Sequence, residues 1–159
     1  MLAYSETVYD LLKLLHILAA IIWVGTGIYF QFQGTRLMKM GDRSRVGSFA
    51  LDVDQAGKVL LLPASVLVLM TGIAMLLYAP RWSLSDTWIL IGLAGAVATA
   101  ITGSVFIGPT AGKIGKVITA EGTDSPKVQP LVRKIFLVSR VDQVVLLVVI
   151  WAMVFKPGS

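Results

Sequence analysis

Residues 59–79 read VLLLPASVLVLMTGIAMLLYA, and these 21 residues contain no charged side chain. Residues 87–107, TWILIGLAGAVATAITGSVFI, repeat this character after a short polar turn. A helix rises about 1.5 Å per residue, so about 20 apolar residues cross the roughly 30 Å of hydrocarbon in a bilayer. The two stretches therefore predict two membrane-spanning helices joined by a tight turn around Pro80.

Two further apolar segments flank this pair. Residues 8–32 are long enough to span, and residues 135–155 are long enough if Arg140 and Asp142 are included. The first ten residues hold no basic side chain and no small-x-small cleavage pattern follows, so we expect the first apolar run to be retained. The sequence predicts an all-α fold, a four-helix transmembrane bundle, with residues 1–159 as a single integral membrane domain.

The composition agrees with this interpretation. Of 159 residues, 56% are hydrophobic and 14% are charged, and the mean hydropathy is +0.80, whereas a soluble domain carries about 25% charged residues. A soluble fold of this size leaves much of its surface exposed, so lipid is the natural solvent for the excess apolar area. The chain has no cysteine, which excludes disulfides, thiolate metal sites and iron–sulfur clusters.

The basic residues are distributed unevenly between the two sides of the predicted bundle. Eleven of the fourteen lie in or beside the two long connections, and three lie on the side of the termini. The eleven are Arg36, Lys39, Arg43, Arg45, Lys58, Lys113, Lys116, Lys127, Arg133, Lys134 and Arg140. Cytoplasmic loops carry the excess of lysine and arginine, so we expect both termini outside the cytoplasm. Tyr4, Tyr9, Trp82 and Trp88 then fall at the outer interface, where amphipathic rings accumulate.

The two long connections are predicted to lie outside the hydrocarbon. Apolar positions recur at helical spacing within residues 33–58, so part of this connection is expected to lie on the membrane surface. These positions are Val46, Phe49, Ala50, Val53 and Ala56. Gly108-Pro109 is expected to end the third helix, because proline interrupts a helix interior. A polar loop is then expected to run to Pro130.

The only histidine, His16, lies inside the first span and is the main candidate for chemistry. Ala20, Trp23 and Gly27 follow it by four, seven and eleven residues, so they share its helix face. A polar side chain within a span is a functional hypothesis, and imidazole ligates haem iron and other metals. We consider His16, Trp23 and Gly27 a candidate cofactor site, with His16 as the metal ligand. The alternative is a neutral His16 that hydrogen-bonds a neighbouring helix or reaches the outer headgroups.

Two other features of the spans call for an interpretation. Arg140 and Asp142 place charges within the fourth span, where a charge is costly except near the edge. The simplest interpretation is that Arg140 reaches the interface and that the Asp142 carboxylate pairs with cations of the loops.

The third span carries small residues at helical spacing, which let helices approach closely in lipid. They are Gly92, Gly95, Ala96 and Gly103.

The sequence assigns no catalytic residue. The interiors of 59–79 and 87–107 hold no ionisable side chain, and the chain has no phosphate-binding loop, HExxH motif or nucleophile elbow. These features favour a small non-enzymatic membrane protein, an accessory or scaffold subunit of a larger membrane assembly. Its expected partners are the lipid bilayer and membrane proteins or a second copy, and not nucleic acid. A haem-binding protein with His16 as axial ligand is the alternative.

Short motifs are spread over nearly the whole chain. They are Leu15-His16 with Trp23-x-Gly25, Pro63, Thr71-Gly72, Trp88 and the closing Met153-Val154-Phe155-Lys156-Pro157. Together they resemble the bacterial integral membrane proteins grouped as domain of unknown function 2269. The resemblance implies a multi-pass protein of the bacterial inner membrane and assigns it no activity.

The same skeleton is distantly similar to two better-understood groups. In the membrane-bound, haem-binding protoporphyrinogen oxidase, the haem-ligand histidine would fall on His16. The oxidase's Pro-Arg-Leu-Phe stretch with a second histidine, its lysine early in the third span and its Asn-Glu pair at the fourth have no counterpart here. The Leu-His…Trp-x-Gly start is also similar to the copper-resistance D membrane domain, which implies metal handling at His16 as a further alternative.

Overall fold

The computed structural model describes residues 5–79 and 81–158, so the expectations for Tyr4 and Pro80 lie outside the described residues. Within these ranges the chain consists of helices and turns without strands. Four of the described helices are long and apolar enough to cross a membrane: α1 Glu6–Met40, α2 Arg43–Tyr78, α3 Thr87–Glu121 and α4 Val128–Phe155. The predicted all-α fold with four transmembrane helices is confirmed.

The helices are longer than the apolar segments that predicted them. Helices α1, α2 and α3 contain 35, 36 and 35 residues. At the usual rise this is about 50 Å each, against roughly 30 Å of hydrocarbon. The additional turns lie at the end of the bundle opposite the termini. We call this extension, residues 33–57 and 108–136, the head.

Residues 33–58 are mostly helical, and the expectation that part of them lies on the membrane surface is wrong. Helix α1 is ended by Gly41, which takes a left-handed φ of 73°. Helix α2 begins after Asp42, whose carboxylate accepts a hydrogen bond from the Arg45 N–H at 3.1 Å. The apolar face of α2 packs against the ends of α3 and α4, and Val46 is 1% exposed. Val46 is buried by protein, Phe49 and Ala50 are partly buried against the same core, and α2 continues from here into its apolar segment.

Gly108-Pro109 does not end the third helix, which continues for several turns, so this expectation is also wrong. A π-helical turn, Thr102–Ile107, precedes the proline, and another, Gly57–Leu61, precedes Pro63 in α2. A π turn bonds residue i to i+5 and widens the helix locally. The turn thereby relieves the clash between a proline ring and the carbonyl four residues earlier, and the chain stays helical.

The connection between α3 and α4 is a short turn in the head and not a loop that runs to Pro130. Helix α3 is ended by Gly122, with a φ of 89°. Pro130 lies in the first turn of α4, where the missing N–H of proline is not needed. The Glu121 carboxylate accepts hydrogen bonds from Lys127 Nζ and, at 2.8 Å, from Ser125 Oγ. These two bonds lower the pKa of Glu121.

A cluster of buried hydrophobic side chains that contact one another lies in the head. The Phe136 ring stacks on Phe49 with 6.2 Å between the ring centroids. It also lies directly over Gly34, where a Cβ atom would overlap the ring. The buried residues of the core are Val46, Ile114, Val128, Val132 and Phe136. The head is therefore packed like a small soluble domain, although it is formed by the ends of membrane helices.

The spanning parts form an open arc rather than a closed ring. Helix α1 packs along α2 and also against α4, and α3 packs against α4. The backbones of segments Leu62–Tyr78 of α2 and Thr87–Ile101 of α3 lie farther apart than those of the helix pairs above, and we call the space between the two segments the slit. Large apolar side chains are exposed on the outer faces of the helices, as expected for surfaces that contact lipid.

Candidate functional site

A cavity lies between the four helices in the half of the bundle nearest the termini. Its volume is about 140 Å³. It borders the slit, where Leu69 and Ile73 of α2 are 44% and 43% exposed. The wall is mostly apolar and combines aromatic, aliphatic and methionine side chains. The lining residues that bear on its chemistry are Tyr9, His16, Trp23, Trp82, Trp88 and Met153.

His16 is held by α2 through one of its two ring nitrogens. Its Nδ1 lies 3.0 Å from Thr71 Oγ1, and the imidazole is also within hydrogen-bond reach of the Val68 backbone. The Thr71 hydroxyl lies 2.6 Å from the Leu67 carbonyl and 3.2 Å from the Val68 carbonyl. When its proton bonds one of these carbonyls, its oxygen accepts a hydrogen bond from His16, so that Nδ1 carries the imidazole proton and Nε2 carries a lone pair. Nε2 has no hydrogen-bond partner in the part of the chain that the structure describes.

Thr71 and Gly72 suit the imidazole because of their place on α2. A threonine inside a helix bonds back to the carbonyl four residues earlier, and this orients its hydroxyl. A Cβ at Gly72 would lie 3.2 Å from His16 Cε1, so a larger residue would press on the ring. In the sequence, Thr71-Gly72 stands out only as a short motif, because its contact with His16 joins two different helices.

The three residues of α1 that were predicted to form a cofactor site do not all lie at the cavity. His16 and Trp23 both line the cavity. Gly27 lies farther along α1 and packs against α4, since a Cβ there would overlap the Gln143 side chain. The Gln143 amide donates a hydrogen bond to the Val24 carbonyl at 3.3 Å. Two of the three predicted residues therefore meet at the cavity, and Gly27 serves helix packing.

An aromatic cluster closes the end of the cavity nearest the termini. Trp82 Nε1 donates a hydrogen bond to Tyr9 Oη at 3.2 Å, and the rings of Trp82 and Trp88 meet edge to face at 5.1 Å. The guanidinium of Arg81 and the ammonium of Lys156 lie over the Trp82 ring at 5.1 and 4.4 Å. Three of the rings predicted at one membrane interface, Tyr9, Trp82 and Trp88, are thus gathered at this end of the cavity.

The indole N–H of Trp88 is buried beside the cavity. Its ring lines the cavity, and its Nε1 is buried with no hydrogen-bond acceptor among the described residues. A buried donor left without a partner costs about 1–3 kcal/mol, and buried indole N–H groups usually have one.

The predicted small-residue positions of α3 have different surroundings. A Cβ at Gly92 or at Gly95 would overlap side chains of α4, so α3 and α4 approach closely there. Ala96 lines the cavity. Gly103 lies in the π-helical turn, and a Cβ there would meet nothing within 4 Å. Among the described residues, the close approach expected at Gly103 is therefore not observed.

The charged residues of α4 have polar neighbours. Arg140 donates from Nε to Gln31 Oε1 at 3.3 Å and from Nη2 to Thr35 Oγ1 at 3.0 Å. Asp142 is half-buried and faces Thr99 of α3. Neither charge takes part in an ion pair with another described residue, so the expected pairing of the carboxylate with loop cations is not observed.

Sulfur atoms accompany the imidazole in the cavity wall. Met75 of α2 and Met153 of α4 line the cavity together with His16, although the methionines are scattered along the sequence. Over the described ranges, no three histidine, aspartate or glutamate side chains come together. The lining residues therefore carry one imidazole, three indoles, one phenol and two thioethers.

Comparisons with known proteins support the membrane assignment. Residues 10–157 match the protein family described as "Predicted integral membrane protein (DUF2269)". No curated protein and no solved structure matches the chain significantly. The family match covers nearly the whole chain and agrees with the four long apolar helices.

Proposed function

We propose that this chain, which belongs to the integral membrane protein family called domain of unknown function 2269, binds a lipid-soluble ligand through His16. One observation carries the proposal. Thr71 orients the protonated Nδ1 of His16, and this leaves a lone pair on Nε2 of a residue that lines an apolar cavity. Small-molecule sites are typically apolar with a few well-placed polar groups. An imidazole oriented in this way is ready to accept a hydrogen bond or to ligate a metal.

The slit supports entry of the ligand from the membrane rather than from water. It separates α2 from α3 over the spanning segments, and Leu69 and Ile73 present exposed apolar side chains beside it. The opposite route, from the end nearest the termini, is closed by the cluster around Trp82. A molecule dissolved in the bilayer would reach His16 through the slit without crossing the polar interface.

The test uses the single histidine of the chain. Protein with isotope-labelled histidine in phosphatidylcholine nanodiscs gives one pair of imidazole nitrogen signals. We expect a protonated Nδ1 and an unprotonated Nε2. Titration with phenol, a single ring with one hydroxyl donor, should shift the Nε2 signal in a saturable way.

Matched variants show whether the shift comes from the cavity. Ala96→Phe fills the cavity wall and should abolish the shift. Val97→Phe adds the same ring at the next position, which is 58% exposed, and should preserve the shift. An unprotonated Nδ1, or an Nε2 signal that phenol leaves unchanged, would contradict the proposal.

Haem is the second candidate, and the donor chemistry favours it. An imidazole whose other nitrogen is hydrogen-bonded is the arrangement of ligating histidines, and Met75 and Met153 add thioethers. Bound haem would supply iron-centred redox chemistry. The volume does not fit, because the cavity of about 140 Å³ is smaller than the roughly 300 Å³ of ordinary ligand pockets. Helices α2 and α3 would have to separate to admit the macrocycle.

Hemin added to the same samples tests this candidate. An absorption band in the wild type that His16→Ala removes would support haem ligation. Leu15→Ala, at a neighbouring position that is 45% exposed, is the matched control and should keep the band. A colourless wild type would eliminate haem. The same comparison with Cu(I), which accepts imidazole and thioether ligands, tests metal handling at His16.

Location and partners complete the proposal. A location in the bacterial inner membrane, with both termini outside the cytoplasm, is supported by the eleven basic residues at the head end.

A role as an accessory subunit is supported by the absence of catalytic motifs from the sequence. This role is compatible with ligand binding, because a subunit can carry a ligand. If the chain purified from its native membrane in mild detergent were a 17.1 kDa monomer, the accessory role would fail.

A further inference from the structure

We infer that the protein binds one anionic phospholipid at the boundary between the head and the spanning part, where α1 and α4 pack together and the lipid phosphate meets Arg140. This site lies in the other half of the molecule from the His16 cavity and does not depend on the ligand proposed there. The unbalanced charge of Arg140, its depth in the bilayer and the basic side chains around it each support one part of the inference.

The guanidinium of Arg140 is held in place by neutral partners. Its Nε donates to Gln31 Oε1 at 3.3 Å, and its Nη2 donates to Thr35 Oγ1 at 3.0 Å. Both partners are themselves fixed. The Gln31 amide donates to the Phe136 carbonyl at 3.2 Å, and the Thr35 hydroxyl donates to the Gln31 carbonyl at 2.7 Å. These contacts orient the guanidinium but leave its positive charge unbalanced.

The donors of Arg140 are not all used. A guanidinium has five N–H groups, and the three that remain on Nη1 and Nη2 have no acceptor in the described part of the chain. Asp142 is only two residues away, but it faces Thr99 of α3 and forms no ion pair with a described residue. The Arg140 side chain is exposed, so an anion can reach it from outside. Phosphate oxygens are strong acceptors for a guanidinium.

The position of Arg140 along α4 places it near one edge of the hydrocarbon. It precedes Lys156 by sixteen residues, which is about 24 Å of helix. Lys156 lies over the rings of Trp82 and Trp88, and tryptophan accumulates at membrane interfaces. With roughly 30 Å of hydrocarbon, Arg140 lies about four residues from the opposite edge. A long arginine side chain reaches the headgroup phosphates from there.

The surroundings of Arg140 favour a lipid over a free phosphate ion. Leu137 and Val144 lie three residues before it and four residues after it on the same face of α4, and they are 65% and 60% exposed. Phe32 of α1, beside Gln31, is 67% exposed. A free ion would have to leave water and enter this apolar belt alone. A phospholipid brings its phosphate to Arg140 together with acyl chains that cover the apolar side chains.

The charge around the site favours an anionic lipid over a zwitterionic one. Residues 31–40 of α1 and 128–141 of α4 hold five basic side chains and no acidic one. All five are exposed: Arg36, Lys39, Arg133, Lys134 and Arg140. Basic clusters at the ends of membrane helices attract anionic headgroups. A zwitterionic headgroup adds an ammonium that this cluster repels, so the expected lipid has a phosphodiester without a cation, as in phosphatidylglycerol.

Quenching of a fluorescent label by brominated lipids tests the inference. The chain has no cysteine, so Leu137→Cys carries a bimane label beside Arg140 in the full chain. The labelled protein is placed in phosphatidylcholine vesicles that contain either brominated phosphatidylglycerol or brominated phosphatidylcholine. Bromine quenches the label only from a neighbouring lipid. We expect phosphatidylglycerol to be preferred about tenfold at this position, as hydrogen bonds to a charged group imply.

A label at Leu62→Cys is the matched control. Leu62 is 60% exposed and precedes Tyr78 by sixteen residues, so it lies at a similar depth on α2. The nearby Lys58 is paired with Asp54, so its charge is already balanced. We expect brominated phosphatidylglycerol and brominated phosphatidylcholine to quench this label equally.

Variants of the Leu137→Cys protein assign the preference to Arg140. Arg140→Gln should lower the preference about tenfold, so that the two lipids quench equally. Arg140→Lys keeps the charge without the fork of N–H groups and should retain about a threefold preference. Arg43→Gln removes one charge from the distal end of the head, nineteen residues before Leu62, and should retain the full preference. Unfolding temperatures show whether each variant is folded.

Several outcomes would overturn the inference. Equal quenching of the wild-type site by the two lipids would do so, as would a full preference in folded Arg140→Gln. If Arg140→Gln does not fold, a full preference in Arg140→Lys would exclude a role for the guanidinium. An equal preference at Leu62→Cys would show only a general attraction of the head for anionic lipid. Loss of the preference on addition of millimolar glycerol 3-phosphate would indicate a site for soluble phosphates. None of these measurements involves His16, so their failure would leave the proposed function intact.

Discussion

At the scale of single residues, the hydroxyl of Thr71 determines the state of His16. When its proton bonds the Leu67 carbonyl, 2.6 Å away, its oxygen accepts a hydrogen bond from the imidazole. In a low-dielectric interior such linked hydrogen bonds strengthen one another. The unreactive side chain of Thr71 thereby determines which ring nitrogen of His16 is available to bind a ligand.

Replacing Thr71 with valine should release this control. Thr71→Val keeps the shape of the side chain but removes the acceptor, so we expect a mixture of imidazole tautomers and about tenfold weaker phenol binding, near the lower end of the losses seen for partners of ligating histidines. The imidazole nitrogen signals measure both effects. Thr102→Val is the control, because its hydroxyl also bonds back to a helix carbonyl, that of Ala98 at 2.9 Å. An unchanged tautomer in Thr71→Val would show that the Val68 backbone alone orients the ring.

The candidate site could be predicted from the sequence along one helix only. His16 and Trp23 share a face of α1, and helical periodicity reveals that directly. Thr71 is 55 residues from His16 along the chain, and Trp88 is on a third helix, so no periodic signal links them to the imidazole. Gly27 lies at the predicted spacing too, but its neighbour is Gln143. Periodicity shows which residues share a face of a helix, but it does not show which other helix packs against that face.

At the scale of the helices, apolar content and helix length report different properties. Apolar runs show where the chain meets lipid, so the existence of four spans could be predicted. The helix ends in the head could not, because they contain the polar residues and prolines that are typical of loops. Helices α2 and α3 continue through Pro63 and Pro109 because each proline follows a π-helical turn. Such a turn has no clear signature in a single sequence.

Two glycines of α3 that look alike in the sequence should respond differently to substitution. Gly95→Leu places its side chain against Val149 of α4, and we expect a loss of roughly 1–3 kcal/mol or more in stability from overpacking. Gly103→Leu adds the same group where a Cβ meets nothing within 4 Å, so we expect a change within about 0.5 kcal/mol. Thermal unfolding in detergent measures both. An equal loss at Gly103 would reveal a second chain packed on that face.

At the scale of the whole molecule, two kinds of packing are joined end to end. In the head, the helix ends bury a common core, and α2 touches α3 there. In the spanning part, the same two helices are separated by the slit. The head thus holds α2 and α3 together at one end while they remain apart at the other.

The orientation of the molecule should follow from its charges. Eleven of the fourteen basic residues lie at the head end, so we expect the head in the cytoplasm. The chain has no cysteine, so single cysteines can be introduced at exposed serines. An impermeant maleimide added to intact cells should label Ser85→Cys and should label Ser48→Cys only after lysis. The reverse pattern would invert the topology, and the wild type controls for background labelling.

The head also has a consequence for the making of the chain. Its core joins Val46 of the second helix to Val132 and Phe136 of the fourth, so it cannot be completed before the last helix has been synthesised. A nascent chain with one segment left out of the bilayer would expose half of this core, and exposed apolar surface of that kind is removed by chaperones and proteases. The core of the head therefore forms completely only in a chain whose membrane segments have all been inserted correctly.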